Sequence, residues 1–257
     1  MQHIQKVLGI FLVGLSLLGG CQDTQHPTAV KVIDGRQMQT APRQVADDTA
    51  DSDVASPQYP EGTTVIVAIG DSITYGWDST VGGYPVILQN KLLAAGYNAV
   101  VLNEGVPGER TPATEARFLE VIAGADIALI MIGINDIIDP QACPEPFNCQ
   151  TINHIEALLD KALISKTVPL VSTVTPANPT GPYEWANYPI RSLNSQIYQI
   201  AAERNVLLVD NYRAIMSNGG STLYDDNLHF TDQGYGIIAQ QWYDALIAND
   251  LLTTDQE

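Results

Sequence analysis

The stretch that decides the fold is Val65 to Trp77, VIVAIGDSITYGW, in which five apolar residues run into Gly70, Asp71 and Ser72. A short apolar run of this kind is typical of a strand that is buried on both faces. The polar residues after it mark a turn from strand into helix. At such a turn Ser72 has two interpretations: it caps the helix, or its hydroxyl group attacks a substrate.

Similar apolar, β-branched runs recur along the chain, and helix-like segments separate them. Strands are predicted at 63–69, 98–103, 126–132, 168–174 and 205–210, and helices at 84–95, 114–123, 151–165, 188–204 and 231–249. This alternation predicts a three-layer α/β/α domain around a central parallel five-stranded sheet. Ligands of such sheets bind beyond the carboxyl ends of the strands, so the loops that follow the strands are expected to share one site.

The composition limits the classes of partner. The chain has 257 residues, of which 45% are hydrophobic and 16% charged, and this suffices for one sizeable core. Its formal net charge of −17 at pH 7 repels polyanions. We therefore expect no nucleic acid partner, and no attraction to anionic lipid headgroups.

Residues 1–20 are predicted to be a signal peptide. Lys6 precedes VLGIFLVGLSLL, an apolar stretch of 12 residues that is too short to span a bilayer. The residues from Leu18 to Cys21 resemble a bacterial lipobox, which implies cleavage and a diacylated Cys21 as a membrane anchor. An uncleaved anchor or an ordinary buried cysteine is the alternative. Gln22 stands where an aspartate is typical of inner-membrane retention, so an exported lipoprotein on the periplasmic side of the outer membrane is favoured.

The segment after Cys21 differs in composition from the rest of the chain. Residues 21–60 are rich in Thr, Gln, Asp, Ala and Pro, include the acidic run DDTADSD, and show no sustained apolar period. Such a segment buries too little apolar surface to offset its ordering entropy, which predicts a flexible acidic tether. Residues 61–257 are predicted to form the folded domain.

Two further cysteines, Cys143 and Cys149, lie in the loop QACPEPFNCQT with five residues between them. In an exported protein an oxidising compartment allows such a pair to form a disulfide that closes the loop. Two free thiols are the alternative. A metal site is not expected, because no histidine or further cysteine lies nearby in the sequence.

A nucleophilic serine needs a base, and the predicted domain contains two of the four histidines, His154 and His229. His154 lies in the first turn of a predicted amphipathic helix with no motif around it, which indicates a surface or packed residue. His229 follows Asp226 by three residues in DDNLHF. A carboxylate on one imidazole nitrogen stabilises the imidazolium that forms when the other nitrogen accepts the serine proton. Asp225 competes with Asp226 for this orienting role, but the spacing favours Asp226.

A tetrahedral oxyanion also needs hydrogen-bond donors. The Ser72 amide, the Gly108 amide in VPGER and the Asn135 side-chain amide in GIND all follow strands and are expected at the same sheet edge. Gly108 and Asn135 also have interpretations without a role in catalysis, since Gly108 fits a turn after Pro107 and Asn135 fits a cap of the helix or loop that follows. Their joint occurrence favours an oxyanion-binding site.

Four blocks of this sequence together resemble the SGNH (GDSL) hydrolase family: Gly70 to Gly76, Asn103 to Gly108, Gly133 to Asp136, and Asp226 to His229. The resemblance implies a flavodoxin-like fold, Ser72 as nucleophile, His229 as base, Asp226 as its orienting carboxylate, and no metal or organic cofactor. It also implies Gly108 and Asn135 as oxyanion donors. The sequence is most similar to the small arylesterases, thioesterases and lysophospholipases, but Glu109-Arg110 stands where these often have Asp-Thr.

The substrate is expected to be a short acyl ester, an aryl ester or a lysophospholipid, with O-acetyl groups of a polysaccharide as the second possibility. Aromatic residues are candidates for lining the substrate cleft, and their alternative is ordinary packing. These residues are Trp77, Tyr84, Tyr183, Trp185 and Tyr188. A hypothesis from another class is an inactive lipoprotein that binds glycan or lipid on a hydrolase-like scaffold.

Overall fold

The computed structural model describes residues 59–143 and 149–252. Five strands form one parallel sheet in the order β2-β1-β3-β4-β5. The strands are β1 (Thr64–Gly70), β2 (Ala99–Gly105), β3 (Ile127–Met131), β4 (Val168–Ser172) and β5 (Leu207–Val209). The helices are α1 (Ser72–Tyr75), α2 (Gly83–Ala94), α3 (Thr111–Val121), α4 (Ile134–Ile138), α5 (Thr151–Ile164), α6 (Asn187–Glu203), α7 (Asn211–Ser217) and α8 (Asp232–Ala248). The predicted α/β fold with a five-stranded parallel sheet is confirmed.

Strand β1 lies in the interior of the sheet, and each of its seven residues is buried. Its apolar run fits this position because helices cover both faces of the sheet, with α2 against α8 and α3 against α5. The last residue, Gly70, pairs with Gly105 of β2 and Met131 of β3. Three strands therefore end side by side, and their following loops meet as expected.

The short helices α1, α4 and α7 follow β1, β3 and β5 closely. A helix start at Ser72 was expected, whereas the bounds of α4 and α7 were not predicted, because five to seven residues show no helical period. Local caps define two of them. The Asp71 carboxylate accepts a 2.9 Å hydrogen bond from the Ile73 amide at the start of α1, and Asp210 accepts one from the Arg213 amide in α7. Strands β4 and β5 end earlier than predicted.

Cys143 and Cys149 form a disulfide, with Cα atoms 5.1 Å apart, as predicted. The signal peptide, Cys21 and nearly all of the predicted tether lie outside the described residues. Among the helices that the structure describes, none combines the length and apolar character needed to cross a membrane.

Candidate active site

Ser72 is the first residue of α1, at the carboxyl end of the interior strand β1. Two glycines let the backbone pack tightly there. A Cβ atom at Gly70 would lie 2.2 Å from the Met131 carbonyl oxygen, and one at Gly105 would lie 2.1 Å from the Tyr75 amide nitrogen. Helix α1 can therefore begin directly over the ends of β2 and β3, and Ser72 is held with 8% of its surface exposed.

Ser72, His229 and Asp226 form a continuous hydrogen-bonded relay. The Ser72 Oγ lies 2.9 Å from His229 Nε2, and His229 Nδ1 lies 2.8 Å from Asp226 Oδ2. The serine and the histidine are separated by 157 residues, so the tertiary fold brings them together. With Nδ1–H donating to Asp226, Nε2 is the nitrogen that accepts the serine proton.

The Asp226 carboxylate is fixed by its own loop as well as by the imidazole. Its Oδ1 accepts hydrogen bonds from the backbone amides of Leu228 and His229, each at 2.7 Å. Burial acts to raise the pKa of Asp226, but the His229 and Leu228 amides and the imidazole outweigh it and lower the pKa. Asp225 instead uses its backbone amide, which donates to the His229 carbonyl oxygen. The structure thus places Asp226, rather than Asp225, on the imidazole.

The loop that carries Gly108 is tied to the end of β1 and to helix α4. The Val106 amide donates to the Gly70 carbonyl oxygen, and the Asn135 Nδ2 donates to the Glu109 carbonyl oxygen, both at 3.0 Å. Gly108 has a φ of +77°, a conformation that favours glycine. Since an amide NH₂ group has two hydrogens, Asn135 retains a second donor beyond its bond to Glu109. The Gly108 loop thus contacts both the Asn135 side chain and the strand end that precedes Ser72.

The residues Glu109 and Arg110, which depart from the family pattern, are both anchored. Glu109 is buried and accepts two hydrogen bonds from the Arg117 guanidinium, at 2.7 and 2.6 Å, and one from Thr114 at 2.9 Å. Arg110 pairs with Asp139. The ion pair of Glu109 with Arg117 was not predicted; its signal in the sequence is the basic residue two turns along the helix after the loop.

Two further carboxylates near Ser72 are buried and support loops. Asp71 caps α1, and burial, reinforced by the charges of Asp136 and Glu109, raises its pKa to about 7 although the Ile73 amide opposes the shift. Asp136 accepts hydrogen bonds from Thr111 and Thr151, and burial raises its pKa as well. Neither carboxylate is among the hydrogen-bond partners of the imidazole.

The aromatic candidates separate into two groups. Trp77 and Trp185 are exposed by 41% and 52%, and the Trp77 ring lies 5.9 Å from the His229 ring between centroids. Tyr84 is fully buried, packs on Trp242, and its hydroxyl group lies 3.1 Å from Thr74 Oγ1. The prediction that Tyr84 lines the substrate cleft is therefore wrong: its place on the inner face of α2 points the ring into the core.

One group of metal-ligating side chains occurs among the described residues. The ligand atoms of Asp78, Asp226 and His229 lie within 4.8 Å of one another. The Asp226 carboxylate and the His229 imidazole already pair with each other at 2.8 Å. Asp78 thus adds a second carboxylate beside the imidazole, and the arrangement supports no metal assignment.

The chain belongs to the GDSL-like lipase/acylhydrolase family, whose model matches residues 68–237. The matched region includes Ser72, Gly108, Asn135, Asp226 and His229. Membership of this family defines the protein as a serine hydrolase that acts on ester bonds. A search of curated proteins found no significant match.

Solved structures of low sequence identity share the fold. A lipase/acylhydrolase from Enterococcus faecalis is 24% identical with a TM-score of 0.64, and the match covers 76% of this chain and 100% of that one. An acetylxylan esterase from Geobacillus stearothermophilus is 22% identical with a TM-score of 0.59, covering 71% of this chain and 94% of that one. These likenesses support the fold and leave the substrate open.

Proposed function

We propose that this protein hydrolyses carboxylic esters through an acyl-enzyme on Ser72. The observation that carries the proposal is the relay in which Ser72 Oγ lies 2.9 Å from His229 Nε2 while Asp226 holds Nδ1 at 2.8 Å. A serine that only capped α1 would need no imidazole, and the cap is supplied by Asp71. Of the two interpretations of Ser72, the relay favours the nucleophile.

The proposed reaction has two halves. His229 Nε2 accepts the Ser72 proton as Oγ attacks the ester carbonyl carbon, and the negative charge develops on the carbonyl oxygen. The Ser72 and Gly108 amides and the Asn135 side chain are assigned to this oxygen, and Asp226 stabilises the imidazolium. When the carbon–oxygen bond breaks, the imidazolium returns the proton to the leaving alcohol. Water then attacks the acyl-enzyme along the same route and releases the acid.

Short acyl esters, aryl esters or lysophospholipids are the proposed substrates, as the sequence suggests. The second candidate is an O-acetyl group on a polysaccharide. It is favoured by a specific observation: structures similar in fold include acetylxylan esterases. An inactive binding protein is a weaker alternative, because it would need neither the relay nor the oxyanion donors.

Hydrolysis of p-nitrophenyl esters from acetate to palmitate tests the reaction. We expect hydrolysis by the wild-type protein, with an acyl-length profile that separates an acetylesterase from an enzyme for longer chains. Ser72→Ala should abolish it, whereas Ser165→Ala, which alters an exposed serine after α5, should not. A folded wild-type protein that cleaves no ester and fails to react with a fluorophosphonate probe would return Ser72 to the role of a structural residue.

We also propose that Cys21 carries a lipid anchor that places the domain on the periplasmic side of the outer membrane. Its support is the lipobox-like sequence alone. Membrane fractionation of the tagged full chain with and without globomycin, beside Cys21→Ser, tests it. A freely secreted, unlipidated wild-type product would contradict the anchor.

A further inference from the structure

Trp77, whose ring lies beside His229, and its neighbour Tyr75 have exposed rings although their backbone is anchored. Tyr75 and Trp77 are 48% and 41% exposed, and their ring centroids lie 6.3 Å apart. The Trp77 amide donates to the Ser72 carbonyl oxygen at 3.0 Å, and the Trp77 carbonyl oxygen accepts from the Tyr235 hydroxyl group at 2.8 Å. Asn103 donates to the Tyr75 carbonyl oxygen. The rings are thus presented to solvent from a fixed segment, as in a preorganised binding surface.

The position of the pair indicates which half of an ester it meets. In the proposed reaction His229 returns a proton to the leaving alcohol, so the alcohol oxygen must come within hydrogen-bond reach of Nε2. The Trp77 ring lies 5.9 Å from the imidazole ring, tilted by 35°. A group attached to that oxygen therefore lies closest to Trp77. The acyl group is attached to the carbonyl carbon, whose oxygen is directed to Gly108 and Asn135.

The charge around the pair indicates the chemistry of that alcohol. The Asp78 carboxylate is exposed and lies within 4.8 Å of the ligand atoms of Asp226 and His229. Carboxylates accept hydrogen bonds from hydroxyl groups, and with the net charge of −17 they disfavour an anionic alcohol. An aromatic face next to a hydrogen-bond acceptor suits a ring with apolar C–H faces and hydroxyl edges.

We infer that Trp77 and Tyr75, with Asp78, form an alcohol-side subsite that binds an uncharged sugar ring of an O-acylated saccharide. The sugar ring stacks on Trp77, and its free hydroxyl groups donate to Asp78. This inference rests on the proposed ester hydrolysis and, of the two candidate substrate classes given for it, selects the second, the O-acylated saccharide. It assigns Trp77 to recognition of the alcohol rather than of the acyl chain.

The test compares two substrates with the same acetyl group, acetylated xylooligosaccharide and ethyl acetate, by following released acetate with the full chain. Trp77→Ala should lower kcat/KM for the saccharide by about tenfold, mainly through KM, and change that for ethyl acetate by less than about threefold. Trp77→Phe should retain most saccharide activity. Leu163→Ala, which removes a side chain of similar exposure (45%) near the amino end of β4, should change neither.

The outcomes separate the inference from the proposed function. A wild-type protein that cleaves neither ester would overturn both. Wild-type cleavage of both esters, with equal losses or no loss in Trp77→Ala, would overturn the inference alone. If Trp77→Ala fails to fold, Tyr75→Ala serves instead, and its ratio of saccharide to ethyl acetate activity should fall by about threefold. An unchanged ratio in that variant would overturn the inference.

Discussion

Asp226 and Asp71 are two carboxylates close to Ser72 that differ in their surroundings. Asp71 directly precedes Ser72 in the chain, whereas Asp226 is linked to Ser72 through the His229 imidazole. The Asp226 side chain is 42% exposed and receives two backbone amides and the imidazole, which lower its pKa. Asp71 is 2% exposed, and burial raises its pKa to about 7. The difference teaches that a carboxylate can stabilise an imidazolium when hydrogen-bond donors keep it ionised. Its closeness to the serine in the chain does not decide this.

The largest expected effect comes from changing the carboxylate on the imidazole. Asp226→Asn should lower kcat by about 10³- to 10⁴-fold, because an amide neither stabilises the imidazolium nor holds the required tautomer. The measurement is steady-state hydrolysis of a p-nitrophenyl ester that the wild type cleaves. Asp225→Asn is the matched control and should change kcat by less than about threefold. Equal small effects of the two changes would reject the assignment of Asp226.

The second effect concerns stability and its dependence on pH. Since the folded pKa of Asp71 is raised to about 7, the folded state holds this proton more tightly than the unfolded state does. The resulting stabilisation is complete below the unfolded pKa and is lost as the pH rises through about 7. The free energy of unfolding of the wild type should therefore fall with rising pH, by on the order of a few kcal/mol. Asp71→Asn keeps an oxygen that accepts from the Ile73 amide but cannot ionise, so this fall should disappear in the variant.

Urea unfolding between pH 4 and 8 checks this second effect, with the exposed Asp225→Asn as a control that should retain the wild-type slope. An Asp71→Asn protein whose free energy of unfolding falls as steeply as that of the wild type would show that Asp71 ionises without cost. Burial would then not explain the difference between Asp71 and Asp226.

The smallest effect involves Glu109, a third carboxylate, which is buried like Asp71 but paired like Asp226. Arg117→Met should lower the free energy of unfolding by about 2 kcal/mol, because it leaves Glu109 with Thr114 but without its guanidinium partner. Arg110→Met, which breaks the exposed pair with Asp139, should cost less than about 1 kcal/mol. Both are measured by urea unfolding. A larger loss in Arg110→Met would contradict this ranking.

Much of the fold followed from local patterns. The buried strand at 64–70 and the long helices carried enough apolar period to be predicted within a few residues. The bounds of the short helices α4 and α7 were not predicted, because five to seven residues show no helical period. The burial of Tyr84 was also missed, since its position in the chain does not reveal which face of α2 packs on Trp242.

The sequence by itself determined the α/β class, the sheet edge at which the loops meet, and the residue types needed for ester hydrolysis, because strand patterns and short motifs are local properties. Only the tertiary structure decided that Glu109 is paired with Arg117 and that Trp77, rather than Tyr84, lies beside the imidazole. These outcomes depend on contacts between distant segments and on burial, which follow from packing of the whole domain.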